Sequence, residues 1–405
     1  MGKLRTRFIS YGKLYCRNPR DPFVKKLYYK LFREYNKTRK AKYKEFRNNI
    51  IIKLDSLKDN NPKQYWDLVN ELRGQKKDSV DNLIEQDIWY KHFKTLHTAD
   101  DNTFSQRLQE LESLLTKEEK HYKVFNELDY RISAKEISSA ISSLKTGKSK
   151  GLDLVSNEML KNGQTQLIPC LVLLFNFCLA NTCYPQSWAK GYISPIFKSG
   201  DPTDPNNYRG ITITSNLGKL FNTILNNRLD KFLEQNNLIH TAQIGFTKNA
   251  RTTDHCFILK TLVDKYCNTK EGRLYACFID FQKAFDNVIH CGLKLKLLQL
   301  NIGSKFYETV KNMYIKSETC VKINNFLTSP FPIKYGVRQG DNLSPNLFKI
   351  FINDLPTYLE KASDAVKLQY ENLDCLMYAD DIVIFSTSPE GLQNKLNLLE
   401  NYCDD

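Results

Sequence analysis

The sequence predicts a mixed α/β fold preceded by a basic helical arm, and three stretches predict it. Leu376-Met377-Tyr378-Ala379-Asp380-Asp381-Ile382-Val383-Ile384-Phe385 sets two aspartates between short apolar runs, the pattern of buried strands meeting at a tight turn. Leu274 to Ile279 is a continuous apolar run closed by Asp280, as expected for a central buried strand. Residues 216–235 repeat apolar side chains at helical spacing, with Leu217, Leu220, Phe221, Ile224, Leu225 and Leu229 on one face.

The chain has 405 residues, enough for roughly two or three domains. Its 41% hydrophobic content supports a real core, and a mean hydropathy of −0.48 with 26% charged residues fits a soluble protein. The longest apolar stretch, Leu167 to Ala180, is too short to span a bilayer and contains Asn176. No secretory signal opens the chain, and the 11 cysteines are scattered without Cys-x-x-Cys spacing. We therefore expect reduced thiols and an intracellular protein of nucleus and cytoplasm, with no membrane partner. The net charge of +14 is uneven: residues 1–80 hold 22 Lys+Arg against 8 Asp+Glu, so the arm carries all of it.

Residues 21–58 read as one long basic helix, densest at Lys37, Arg39, Lys40, Lys42 and Lys44. That density suits a phosphate backbone, with nearby tyrosines available to stack on bases; a solvated helix face is the plainer reading. Asn60-Asn61-Pro62 ends the helix, a second piece runs from Lys63 to Leu72, and Gly74 to Asp81 reads as a linker. Residues 86–97 and 105–122 read as helices, with His92 and His97 as packing or surface side chains. Ser133-Ala134-Lys135-Glu136 is a capping box opening a helix through Ile137, Ile141 and Leu144. A basic loop with Lys148 and Lys150 follows; its spacing is not that of a Walker loop, and it suits a contact to nucleic acid or a simple helix joint. Gly191 to Lys198 reads as a strand, and Lys198 and Arg209 flank the turn after it. Two cations so placed suit a triphosphate, though such pairs are also common surface charge.

Asp280 and the Asp380-Asp381 pair are the center of the chemistry. Two carboxylates ~4 Å apart repel by about 4 kcal/mol at an effective dielectric near 20. A divalent cation turns that repulsion into ligation; a polar hairpin turn is the alternative, since Asp is a common turn residue. Two-metal phosphoryl transfer needs a further carboxylate on a neighboring strand, and Asp280 meets that need 100 residues earlier. Between them, Tyr335-Gly336-Val337-Arg338-Gln339-Gly340-Asp341 reads as a polar loop before a helix opened by Ser344-Pro345.

Taken together and in order, these segments resemble the reverse transcriptases of non-LTR (LINE-type, jockey-like) retrotransposons. The motifs are Gly147 to Asp153 with Asn157-Glu158, Pro195 to Lys198 through Tyr208-Arg209-Gly210-Ile211, Phe278-Ile279-Asp280-Phe281 with Ala284-Phe285-Asp286, Arg338-Gln339-Gly340-Asp341 with Leu343-Ser344-Pro345, and Tyr378-Ala379-Asp380-Asp381. The resemblance covers roughly residues 130–403. It implies a right-hand polymerase with fingers and a ferredoxin-like palm behind an N-terminal basic helical extension, and the sequence departs from that pattern in showing no thumb. The implied division is 1–80 basic RNA-binding extension, 81–130 helical connector, 131–275 fingers and 276–405 palm. The implied reaction is RNA-templated addition of dNTPs to a DNA primer. Asp280 and Asp380 would hold two Mg²⁺ ions (Mn²⁺ as substitute), with Asp381 a weaker or supporting ligand and help from the Phe281 carbonyl. Lys198 and Arg209 would bind the triphosphate, Gln339 and Gly340 would line the nucleotide site, and Phe285 would exclude a ribose 2′-hydroxyl. The family's primer grip, thumb, endonuclease and zinc knuckle do not appear, so we expect weak processivity and a need for those regions in retrotransposition. The rivals are a non-catalytic nucleic-acid-binding remnant and a group II intron or telomerase-like reverse transcriptase.

Overall fold

The computed structural model describes residues 2–72, 84–98, 105–121, 125–268, 272–324, 326–362, 364–368 and 371–404. The linker expected from Gly74 to Asp81 lies outside them. The chain divides into two compact units, Met1–Val80 and Asp81–Asp405.

The first unit is helical. The helix Gly2–Arg17 packs against the 39-residue helix Pro22–Asn60, and Pro62–Leu72 follows. Asp21 starts the long helix by accepting from the Phe23 and Val24 amides, with Pro22 in the first turn, where a missing N–H costs nothing. Rings zip the two helices: Phe8 stacks on Tyr35 at 4.9 Å and Tyr15 on Tyr28 at 4.8 Å. Tyr15, Tyr28 and Tyr35 are thus engaged with one another's and Phe8's rings. Tyr43, inside the densest basic run, is exposed, and so are Lys37, Arg39, Lys40, Lys42 and Lys44.

In the second unit, helix Asn216–Gln235 is the central beam. Ser215 caps it through the Leu217 and Gly218 amides. Leu220, Phe221, Ile224, Leu225, Leu229, Phe232 and Leu233 are buried along it. At about 1.5–3 kcal/mol for each buried large apolar side chain, this face contributes roughly 10–20 kcal/mol before conformational entropy is set against it. A charge at Leu225 would break it. Arg228 leaves the same helix to grip the capping box of helix Ala134–Ser143: its Nε donates to Glu136 Oε1 at 2.7 Å, and Nη1 and Nη2 donate to the Leu128, Tyr130 and Arg131 carbonyls. No helix among the described residues is long and apolar enough to cross a membrane.

Two sheets frame the site. Strands β1 (Lys190–Phe197) and β2 (Tyr208–Thr214) form an antiparallel hairpin. Strand β3 is Tyr275–Asp280. Strand β4 (Glu318–Ile323) lies parallel to β1 and pairs with the short β5 (Phe326–Leu327) and β6 (Phe331–Pro332). A small hairpin joins β7 (Val366–Leu368) and β8 (Glu371–Leu373). Strands β9 (Cys375–Tyr378) and β10 (Asp381–Ser386) are the arms of the two-aspartate turn, and the second sheet has the order β3-β10-β9.

That order corrects the expectation of a central buried strand at Leu274 to Ile279. β3 is an edge: burial alternates along it, and Phe278 is 73% exposed. An apolar run reports which residues can be buried, not how many strands lie beside them. The central strand is β10, buried from Ile382 through Ser386.

Candidate active site

The turn at Ala379 and Asp380 is a two-residue hairpin loop, because Tyr378 pairs with Asp381. Ala379 carries φ +59°, a left-handed conformation that costs an L-residue about 1–2 kcal/mol. Across the sheet, Asp381 stands opposite Asp280 in the antiparallel register. Such a pairing sets Cβ atoms roughly 4.5–5.5 Å apart, where like charges are destabilizing. Burial, then the Asp380 charge, then the Asp280 charge push the Asp381 carboxyl above its ordinary range, while Lys198 pulls it back. The three predicted carboxylates and Lys198 therefore share one electrostatic neighborhood. Among the described residues no cation forms an ion pair with any of the three, and no trio of His, Cys, Asp or Glu side chains closes around an ion by itself.

The chain between residues 281 and 288 binds this corner to the first sheet. The Val337 amide donates to the Phe285 carbonyl at 2.8 Å and the Gly336 amide to the Val288 carbonyl at 2.8 Å. The Thr212 amide in β2 donates to the Gln339 carbonyl at 2.8 Å. Gly340 sits at φ +108°, where an added Cβ would lie 2.9 Å from the Thr212 carbonyl oxygen. So Gln339 and Gly340 are seated on the strand that carries Arg209. The Phe285 ring stacks on Phe348 at 4.7 Å and 13°, with Phe246 edge-on at 6.2 Å, which fixes its plane. Phe281 packs at the rim of the main core.

Lys198 and Arg209 are exposed on either side of the β1–β2 loop, just past the Phe197–Tyr208 pair and opposite Ile196. The loop is stiffened by Asp201 and Asp204, which accept from Thr203 and Asn206. Lys148 and Lys150 are exposed on the loop before helix Asn157–Asn162. The Tyr192 hydroxyl donates to the Lys150 carbonyl at 3.0 Å, and Gly151 lies against the Ser215 backbone. The five basic residues of the arm belong to the other unit.

Three site residues escaped the sequence reading. Asp286 accepts from Gln339 Nε2 on both oxygens at 3.0 Å, and burial pushes its carboxyl up to about 6. Lys283, at φ +53°, donates to Asn206 Oδ1 at 3.3 Å, reaching the loop between Lys198 and Arg209. Gln243 is buried against the Ala379 peptide. Asp286 had a signal in its place inside the Ala284-Phe285-Asp286 motif; the other two depend on contacts between distant segments. Arg338 and Asp341, expected in a polar loop, are buried: Arg338 donates to the Ala189 carbonyl and Ser317 Oγ, and Asp341 accepts from Asn222. His97 is buried too, its Nδ1 3.4 Å from the Tyr335 carbonyl, and burial lowers its pKa to about 4. A cavity of about 440 Å³ bounded by His290, Lys294, Lys311 and Tyr314 shares no lining residue with the aspartates.

Comparison with known proteins covers this same region. A family model described as Reverse transcriptase (RNA-dependent DNA polymerase) matches residues 196–405. The probable RNA-directed DNA polymerase from transposon BS of Drosophila melanogaster is 31% identical over 283 residues, covering 67% of this chain and 30% of that protein. The RNA-directed DNA polymerase from mobile element jockey of the same fly is 29% identical over 283 residues, covering 68% and 30%. The Pol polyprotein of the type-1 retrotransposable element R2 of Popillia japonica is 28% identical over 223 residues, covering 54% and 30%. The chain thus spans about 30% of the length of these relatives.

Proposed function

The chain belongs to the reverse transcriptase family, and from that premise we propose that it adds deoxynucleotides to a DNA primer on an RNA template as part of a mobile-element polymerase. The observation that carries this reading is Asp280 facing Asp381 across β3 and β10, with Asp380 at the turn beside them, inside the region the family model matches. In this reading the β1–β2 hairpin and its helices act as fingers and the β3-β10-β9 sheet as palm. The division proposed at residue 275 follows the chain rather than sheet membership, because β4 pairs with β1. The mobile-element relatives favor this group over a group II intron or telomerase-like enzyme.

The donor set fits magnesium. It is all oxygen, and it carries surplus negative charge. Mg²⁺ is usually held by one or two carboxylates together with substrate phosphates and water. Asp280, Asp380 and the Phe281 carbonyl would hold two such ions, with Asp381 in support; bound there, they supply Lewis-acid activation of the primer hydroxyl and of the triphosphate. Lys198 and Arg209 bind the triphosphate, Arg209 able to bridge two phosphate oxygens. Gln339, its amide donors held by Asp286, and Gly340 form the floor under the nucleotide. The Phe285 ring, wedged by Phe348, stands against a 2′-hydroxyl. Lys37, Arg39, Lys40, Lys42 and Lys44, with Lys148 and Lys150, hold nucleic-acid phosphates.

Primer extension on poly(rA)/oligo(dT) with Mg²⁺ and dTTP tests the proposal. We expect extension by the parent and a loss of at least about 100-fold in Asp380→Ala, since a metal ligand contributes several kcal/mol to the transition state. Equal extension by both would refute the assignment. No extension by either, with salt-sensitive RNA binding retained, would favor a binding remnant.

A further inference from the structure

The segment Gln243-Ile244-Gly245 has no part in the chemistry above, yet it lies along the outer edge of β9. Met377 donates its amide to the Ala242 carbonyl at 2.8 Å, and Ile244 donates to the Met377 carbonyl at 3.0 Å, a short parallel bridge. One residue beyond this bridge pair is Tyr378, and the next is Ala379. There the Gln243 side chain takes over from the backbone. Its Oε1 accepts from the Ala379 amide at 3.0 Å and from the Gly245 amide at 2.8 Å, and its Nε2 donates to the Ala379 carbonyl at 3.3 Å. Both backbone groups of the one left-handed residue in the turn are therefore held by one side chain that is 2% exposed. Gly245 lets the loop come this close: a Cβ there would overlap the Ala379 amide nitrogen and lie 2.8 Å from Gln243 Oε1.

We propose that Gln243, admitted by Gly245, is a positioning residue that clamps the Ala379 peptide and so fixes where Asp380 and Asp381 stand. This rests on the polymerase reading above. A hairpin turn with φ > 0 at its first position ordinarily uses glycine. Here alanine occupies it, and buried hydrogen bonds to both sides of the residue hold the conformation that glycine would take freely. A rigid turn keeps two like charges in place until an ion arrives. The clamp touches neither nucleotide nor ion, so its effect should appear in metal affinity rather than in nucleic-acid binding.

The test is Mn²⁺ binding to the full chain by electron paramagnetic resonance, with thermal melting and primer–template affinity measured alongside. Gln243→Met keeps length and bulk but loses all three hydrogen bonds. We expect about tenfold weaker Mn²⁺ binding, in line with other residues that orient metal ligands, and unchanged primer–template affinity. Ala379→Gly should remove the need for the clamp, so Gln243→Met on that background should regain folding and Mn²⁺ affinity. Mn²⁺ affinity within twofold of the parent in a folded Gln243→Met overturns the clamp alone. So does failure of the glycine background to restore a weakened or unfolded variant. A parent whose Mn²⁺ binding is absent, or is unaffected by Asp380→Ala, overturns the polymerase reading and the clamp with it.

Discussion

Replacing Lys395 by methionine should be among the most damaging single changes in the second unit. Lys395 lies on helix Pro389–Asp404, its side chain fully buried. Its Nζ donates to the carbonyls of Asp364 and Phe385, each at 2.7 Å, and stands 2.6 Å from Asp374 Oδ1. Asp374 leads into β9 and Phe385 lies near the end of β10, so one ammonium ties the base of the two-aspartate hairpin to the helix behind it. Methionine fills the space but leaves the Asp374 carboxylate buried without a counter-charge, a loss of about 3–5 kcal/mol. Against a typical total of about 5–15 kcal/mol this is a large share. Urea unfolding followed by circular dichroism and by the fluorescence of buried Trp188 should show a midpoint lower by roughly 1 M. Adding Asp374→Asn should recover a large part of it. A loss under about 1 kcal/mol, or a double variant no better than the single, would refute the idea that the buried charge pair organizes this end of the sheet.

Two further outcomes follow from charge. Asp286 holds its proton more tightly folded than unfolded, because burial lifts it from 3.8 to about 6; the stability this proton contributes is full below 3.8 and is lost as pH rises through about 6. Asp286→Asn should flatten that part of the stability–pH profile, and an unchanged slope would contradict it. Replacing Lys37, Arg39, Lys40, Lys42 and Lys44 together by alanine should lower the slope of log affinity against log salt on single-stranded RNA by about 3.5, read by filter binding across a salt series; an unchanged slope would mean that these residues face no phosphates.

The site was legible where chemistry is local. Two strand-type runs around Asp380-Asp381 fold as β9 and β10, and the distant Asp280 lands opposite Asp381, because alternation and turn chemistry are written over a few residues. Helix Asn216–Gln235 declared itself through apolar side chains at helical spacing, and Leu220, Phe221, Ile224, Leu225 and Leu229 of that face are buried. What could not be read was neighborhood. Whether Leu274 to Ile279 is flanked by one strand or two depends on the rest of the chain, and the edge position of Phe278 leaves no trace in its own segment. The tyrosines of the arm look alike in sequence, yet the rings of helix Gly2–Arg17 occupy Tyr28 and Tyr35 while Tyr43 stays exposed. Gln243 and Lys395 are ordinary residues until the fold brings 379 beside one and 374 beside the other.

The pairing of β3 with β10 also sets a schedule. A ribosome delivers Asp280 about a hundred residues before Asp381. At about 5–20 residues per second, β3 waits roughly 5–20 s for the strand that covers its inner edge. Through that interval the segment from Tyr275 to Ile279 is an apolar strand with both edges open, the kind of segment that pairs with whatever strand it meets. The facing carboxylates thus come together only once β10 has been made.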